Sequence, residues 1–141
     1  MNDSTVDDFL DRWHRMVRER DTSAIADLLA EDVKLGAPPY WGTLEGRDLV
    51  TYLLTLIIQT IDGFTYHREW RDGAELALEF KGTVDGKNVQ GIDLITVDSD
   101  GRVAAIDVPM RPINTVCELR DKIGPLMEKY FEDLAESANK D

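Results

Sequence analysis

The segment from Gly91 to Asp107, GIDLITVDSDGRVAAID, carries two aspartates spaced as partners across a hairpin. Ser99-Asp100-Gly101 suits a three-residue loop between Asp98 and Arg102, with glycine at the left-handed position. In that register Val97 meets Val103, Ile95 meets Ala105 and Asp93 meets Asp107. Strand side chains alternate, so all six share one face. Two carboxylates on an apolar strip repel each other and tend to hold one proton between them. One then titrates high, as general acid-base catalysis requires. The same spacing also fits two ordinary surface acids on a solvated face.

Composition narrows the setting for that pair. A chain of 141 residues with 43% hydrophobic content is one domain's worth of core, spanning 1–141, with 1–4 and 137–141 read as flexible ends. A net charge of -12 disfavours nucleic acid and anionic membranes as partners and leaves small neutral or cationic ligands open. The single Cys117 has no internal disulfide partner and reads as an inert buried thiol; with no signal peptide before Asp7-Asp8, a cytoplasmic location is expected. Two histidines, His14 and His67, are too few and scattered to imply a metal site, and no metal or cofactor is expected.

The elements that must position the acids follow from periodicity. Val6, Phe9, Leu10, Trp13, Met16 and Val17 recur every three or four residues, predicting an amphipathic helix to about Arg20. Asp21-Thr22-Ser23 opens a short helix, and Val33 and Leu35 suggest a brief strand. The prolines of Ala37-Pro38-Pro39-Tyr40-Trp41-Gly42 impose a loop, whose Tyr40 and Trp41 either lid a pocket or cover its end. Leu49, Val50, Leu53, Leu54, Ile57 and Ile58 form a broad apolar helix face, and a last helix, from about Thr115 to Glu136, carries Leu119, Ile123, Met127, Tyr130, Phe131 and Leu134.

Between these helices, Asp72-Gly73, Asp85-Gly86 and Asp100-Gly101 punctuate β-rich runs and predict four antiparallel strands. A loop at Arg71-Asp72-Gly73 sets Phe64, Tyr66 and Trp70 against Phe80, Leu78 and Ala74. A two-residue turn at Asp85-Gly86 sets Leu78 beside Asp93 and Phe80 beside Gly91, which carries the acids onto the apolar face. The expected pocket lining is therefore Trp13, Tyr40, Trp41, Tyr66, Leu78, Phe80 and Ile95, with Trp13 either donating its indole hydrogen into the cavity or simply packing there. His67 should point to the other face, toward Glu75, Ala77 and Glu79. Ile92, Leu94, Ile106, Val108 and Met110 fall on the outer face, which predicts a homodimer packed sheet to sheet.

With DTSAIADLLAED at residues 21–32, Gly46-Arg47 opening a helix, Gly91-Ile92-Asp93, and Asp100-Gly101-Arg102-Val103 followed by Asp107, the chain resembles the SnoaL-like branch of the nuclear transport factor 2-like superfamily. That resemblance implies an α+β fold, a cone-shaped barrel with N-terminal helices packed on a curved, mostly antiparallel sheet and a C-terminal helix. It also implies roles. Asp107 lies where SnoaL-like polyketide cyclases keep a general base, and Asp93 where ketosteroid isomerases keep a protonated acid and limonene epoxide hydrolases one of two aspartates. The chain departs from those patterns at Ala37, in place of the isomerase base, at Trp13, in place of its oxyanion tyrosine, and at Gly91, in place of the hydrolase arginine.

The resulting expectation is an enzyme that moves a proton at carbon, without cofactor, on a small apolar carbonyl compound, in an isomerase, cyclase or dehydratase type of reaction. Asp107 would be the base and Asp93 the neutral acid facing the enolate oxygen. The competing expectation is a non-catalytic ligand-binding or dimerisation module, which wins if large side chains fill the cone around Asp93.

Overall fold

A computed structural model describes residues 3–38 and 40–139. Its elements run α1 (Asp3–Glu19), two 3-10 turns (Thr22–Ala24 and Ala26–Leu28), β1 (Leu29–Gly36), β2 (Leu44–Glu45), α2 (Arg47–Thr60), β3 (Asp62–Asp72), β4 (Glu75–Val84), β5 (Lys87–Val97), β6 (Val103–Asp107), β7 (Met110–Arg111) and α3 (Ile113–Asn139). Among the described residues the strands form one sheet in the order β2-β1-β6-β5-β4-β3, with β7 beside β5. Only the β1–β6 pairing is parallel. The α+β architecture expected from the sequence is thus present. Of the ends read as flexible, residues 3–4 and 137–139 are helical, while 1–2 and 140–141 lie outside the described residues.

The helices bury the faces their spacing dictates. Val6, Phe9, Leu10, Trp13, Met16 and Val17 of α1 are buried, and so are Val50, Leu53, Leu54, Ile57 and Ile58 of α2. Arg20, at φ 52°, takes the left-handed conformation that ends α1. The segment expected as a second short helix is instead the two 3-10 turns. In α3 the buried residues stop at Ile123, although the apolar spacing continues to Leu134. Tyr130 stacks on Tyr52 at 4.7 Å and ties that far half of α3 back to α2.

Each of the three hairpins tests the expected register. At Asp85-Gly86 both residues have positive φ, 51° and 79°, which defines the tight turn that matches strand twist. Leu78 accordingly pairs with Asp93 and Phe80 with Gly91, as the sequence predicts. The β3–β4 hairpin turns through Gly73 and Ala74, with Asp72 opposite Glu75, and an irregularity falls beside His67. Tyr66 therefore meets Phe80, while Trp70 pairs with Ala77 and lies on the outer face, contrary to the expected inner position. His67 does reach Glu79, at 2.6 Å.

The β5–β6 hairpin corrects the central expectation. Its loop closes as predicted: Asp98 N–H donates to the Arg102 carbonyl at 2.8 Å, and Val97 meets Val103. One residue further, Ala104 bulges out of β6, so Thr96 pairs with Ala105, Ile95 with Ile106 and Leu94 with Asp107. A one-residue slip exchanges the faces. Ile106 and Val108 turn inward and are buried, Met110 packs against the core, and Asp107 turns out to solvent. Three of the five apolar residues assigned to the outer face are thereby withdrawn from it. Ile92 and Leu94 remain, with Trp70 near Leu94.

Candidate functional site

Asp93 stands alone at the floor of the cone. It projects from the middle of β5 between α1, α2 and the sheet, and is only 5% exposed. Burying a carboxylate disfavours its charge. Desolvation accordingly pushes its pKa up to about 7, while a hydrogen bond from the Tyr66 hydroxyl pulls in the opposite direction. Tyr66 Oη donates to Asp93 Oδ2 in a short contact and accepts from the Trp13 indole N–H at 2.9 Å. Burial, and then the neighbouring carboxylate, raise the phenol's pKa well above its ordinary value. The result is a directed chain of donors, Trp13 to Tyr66 to Asp93, aimed at a group that gains and loses its proton near neutrality.

Aromatic packing fills the space around that chain. Phe80 stacks on Phe64 at 4.4 Å, and His14 meets the Tyr66 ring edge-on at 5.5 Å while pairing with Glu69 at 2.7 Å. Gly91 makes this possible, because a Cβ there would lie 2.4 Å from the tip of the Phe80 ring. What remains beside Asp93 is a void of about 20 Å³, room for one water molecule. Met16, Val17, Leu54, Ile57, Ile58 and Val108 complete its wall.

A second cavity lies at the open end of the cone, where α3 crosses α2 and the end of β1. Its volume is about 330 Å³, and its wall is almost entirely apolar, with Leu35, Leu53, Met110, Leu119, Ile123 and Met127 among the lining. Ile57 belongs to the walls of both cavities. Tyr40 lines this mouth, as does Ala37.

The residues singled out in the sequence are therefore divided. Trp13, Tyr66, Phe80 and Asp93 come together at the floor. Leu78 and Ile95 are buried in the packed core and line neither cavity. Trp41 is 101% exposed and lines neither, which corrects its assignment to the pocket. Asp107 does not meet Asp93: it sits on the opposite face beside Gly36, where a Cβ would come 2.3 Å from its Oδ1, and borders an outer groove with Trp70 and Leu94. Sequence reasoning placed Tyr66 in the lining but missed it as the partner of Asp93. No residue signalled that pairing in advance: Gly91 makes room for the Phe80 ring, not for the contact between Tyr66 and Asp93. Among the described residues no group of three His, Cys, Asp or Glu side chains could hold a metal ion, and no helix is long and apolar enough to cross a membrane.

Comparison with known proteins agrees with this architecture. Residues 10–106 match the SnoaL-like domain, and the chain belongs to that family. A steroid delta-isomerase from Pseudomonas aeruginosa is 28% identical and superposes with a TM-score of 0.85 over 92% of this chain and 96% of that one. A protein conserved in bacteria with a cystatin-like fold, from Silicibacter pomeroyi, is 35% identical, with a TM-score of 0.82 over 91% and 92% of the two chains. An NTF-2 like protein from Burkholderia xenovorans, 16% identical with a TM-score of 0.67 over 78% and 85%, shares the fold. No curated protein matches the chain.

Proposed function

We propose that this chain is a pocket protein that binds a small, largely apolar molecule in the cavity between α2, α3 and the end of β1. The observation that carries this reading is the 330 Å³ apolar cavity, which lies within the roughly 300 to 1,000 Å³ typical of small-molecule sites. The void at Asp93 is too small for anything beyond water. A relative named for a reaction on steroids supports an apolar ligand class. The test is methyl NMR of the labelled protein against a panel of apolar compounds. Binding should move the signals of Leu53, Ile123 and Met127; a panel that leaves these methyls unmoved overturns the reading.

A second reading, proton transfer at carbon on an apolar carbonyl compound, is favoured by one observation: Asp93 holds its proton near pH 7 at the end of the Trp13–Tyr66 chain. Asp107 faces away and Ala37 offers no acid, so Asp93 alone would take the proton from one carbon and return it to another. A substrate seated in the mouth cavity would reach it only with Ile57, the residue shared by the two walls, displaced to widen the void. Appearance of conjugated-enone absorbance from a β,γ-unsaturated ketone, lost in Asp93→Asn, is the expected result. Turnover that survives Asp93→Asn, or no turnover by the wild type, rules this reading out.

A further inference from the structure

The pocket at the mouth has two chemically distinct ends. Among its described lining residues Arg120 is the only charged group and Tyr40 the only hydroxyl. Both stand at the wet rim: Tyr40 is 70% exposed, and the Arg120 side chain 47%. The inner end, at Leu53, Ile57, Leu119 and Ile123, is dry hydrocarbon. A purely apolar ligand would leave the guanidinium without a role, whereas a ligand with an anionic head and an apolar body matches both ends.

We infer that the ligand of this pocket is an amphiphilic monocarboxylate, its carboxylate held at the rim by Arg120 and the Tyr40 hydroxyl and its hydrocarbon running inward to Leu53 and Ile57. This rests on the pocket reading and specifies its ligand. A guanidinium carries five N–H donors in a fixed fork that matches a carboxylate. Asp121 Oδ1 now accepts from Arg120 Nε at 3.2 Å and Nη2 at 3.1 Å. That pair joins adjacent residues at the surface, with the Asp121 side chain 68% exposed, and such pairs contribute little. Asp121 turns to water at small cost and releases the fork to a ligand whose hydrocarbon is already anchored. The chain's net charge of -12 opposes an anion at long range. Screening confines that opposition to within about 8 Å at physiological ionic strength, so the groups in direct contact decide.

Titration calorimetry with decanoate and decan-1-ol, two ligands of equal chain length that differ in the head, tests the assignment at about pH 8, where the carboxylate is ionised. Decanoate should bind the wild type about tenfold more tightly than the alcohol, the equivalent of one charge-assisted hydrogen bond. Arg120→Gln, a surface change that keeps a good helix former, should abolish that preference, with decanoate losing more affinity than the alcohol. Ala37→Trp, which fills the mouth, should remove binding of both. Equal affinities in the wild type, or a preference that survives Arg120→Gln, overturn the carboxylate assignment while the apolar pocket stands. Failure of both ligands to bind, or binding untouched by Ala37→Trp, overturns the pocket reading with it.

Discussion

The two ends of the cone use the same kinds of side chain to opposite effect. At the floor, Trp13, Phe64 and Phe80 close on Asp93 until about 20 Å³ is left; at the mouth, Leu53, Ile123 and Met127 stand back from one another and leave about 330 Å³. Chemistry and space have been separated. The group best suited to proton transfer has no room for a substrate, and the space best suited to a substrate has no acid. The difference lies in what supplies the walls. The floor is bounded by paired strands, whose spacing is fixed by backbone hydrogen bonds, and by the buried faces of α1 and α2, whereas the mouth draws part of its wall from a loop and from α3, which has no buried residue past Ile123.

The contrast is sharpest under truncation. Phe80→Ala, at a fully buried ring stacked on Phe64, should cost about 3 to 5 kcal/mol in denaturant unfolding. Should it cost less than about 1 kcal/mol, the floor is not the packed region described.

Asp93→Asn comes next in size and should depend on pH. The folded chain holds this proton with a pKa of about 7, raised by burial, whereas the unfolded chain releases it near 4. Raising the pH from about 4 to about 7 therefore removes stability, because the folded state binds more protons than the unfolded one across that window. Above pH 7 the variant should be more stable than wild type by on the order of 4 kcal/mol, and near pH 4 the two should agree. Stability curves that stay parallel from pH 4 to 8 would refute the raised pKa.

Trp13→Phe removes the donor to Tyr66 Oη and should cost about 1 to 2 kcal/mol. Because that donor helps Tyr66 give its own hydrogen to Asp93, the Asp93 pKa should climb further, readable by carboxyl NMR titration. An unchanged titration would mean that the three groups do not act as a chain. Met127→Ala, at the half-buried mouth, should cost less than about 1 kcal/mol, since it widens a space that is already open instead of creating an enclosed one. A loss as large as that of Phe80→Ala would erase the distinction between the two ends.

Much of this was legible in the sequence, for physical reasons that differ by element. The inner faces of α1 and α2 follow from spacing alone. The β4–β5 register follows from Asp85-Gly86, because a turn with two positive φ angles selects residues that tolerate them. The β5–β6 register did not follow from its equally clear loop. The bulge lies past the turn at Ala104, in a run of Val, Ala, Ala and Ile where no residue marks an extra position. Asp107 was misplaced for that reason alone. The apolar spacing of α3 was likewise readable, but the space left beneath the helix depends on the angle at which it crosses α2, which spacing does not encode.

The bulge at Ala104 also sets how many acids the floor of the cone holds. Drawing Ala104 into the ladder opposite Thr96 would set Asp107 inward opposite Asp93 and turn Ile106 out, giving a floor with two acids, whereas deleting Ala104 would keep Asp107 opposite Leu94. What separates one acid at the floor from two is then the register of a single strand, with no residue changing its identity.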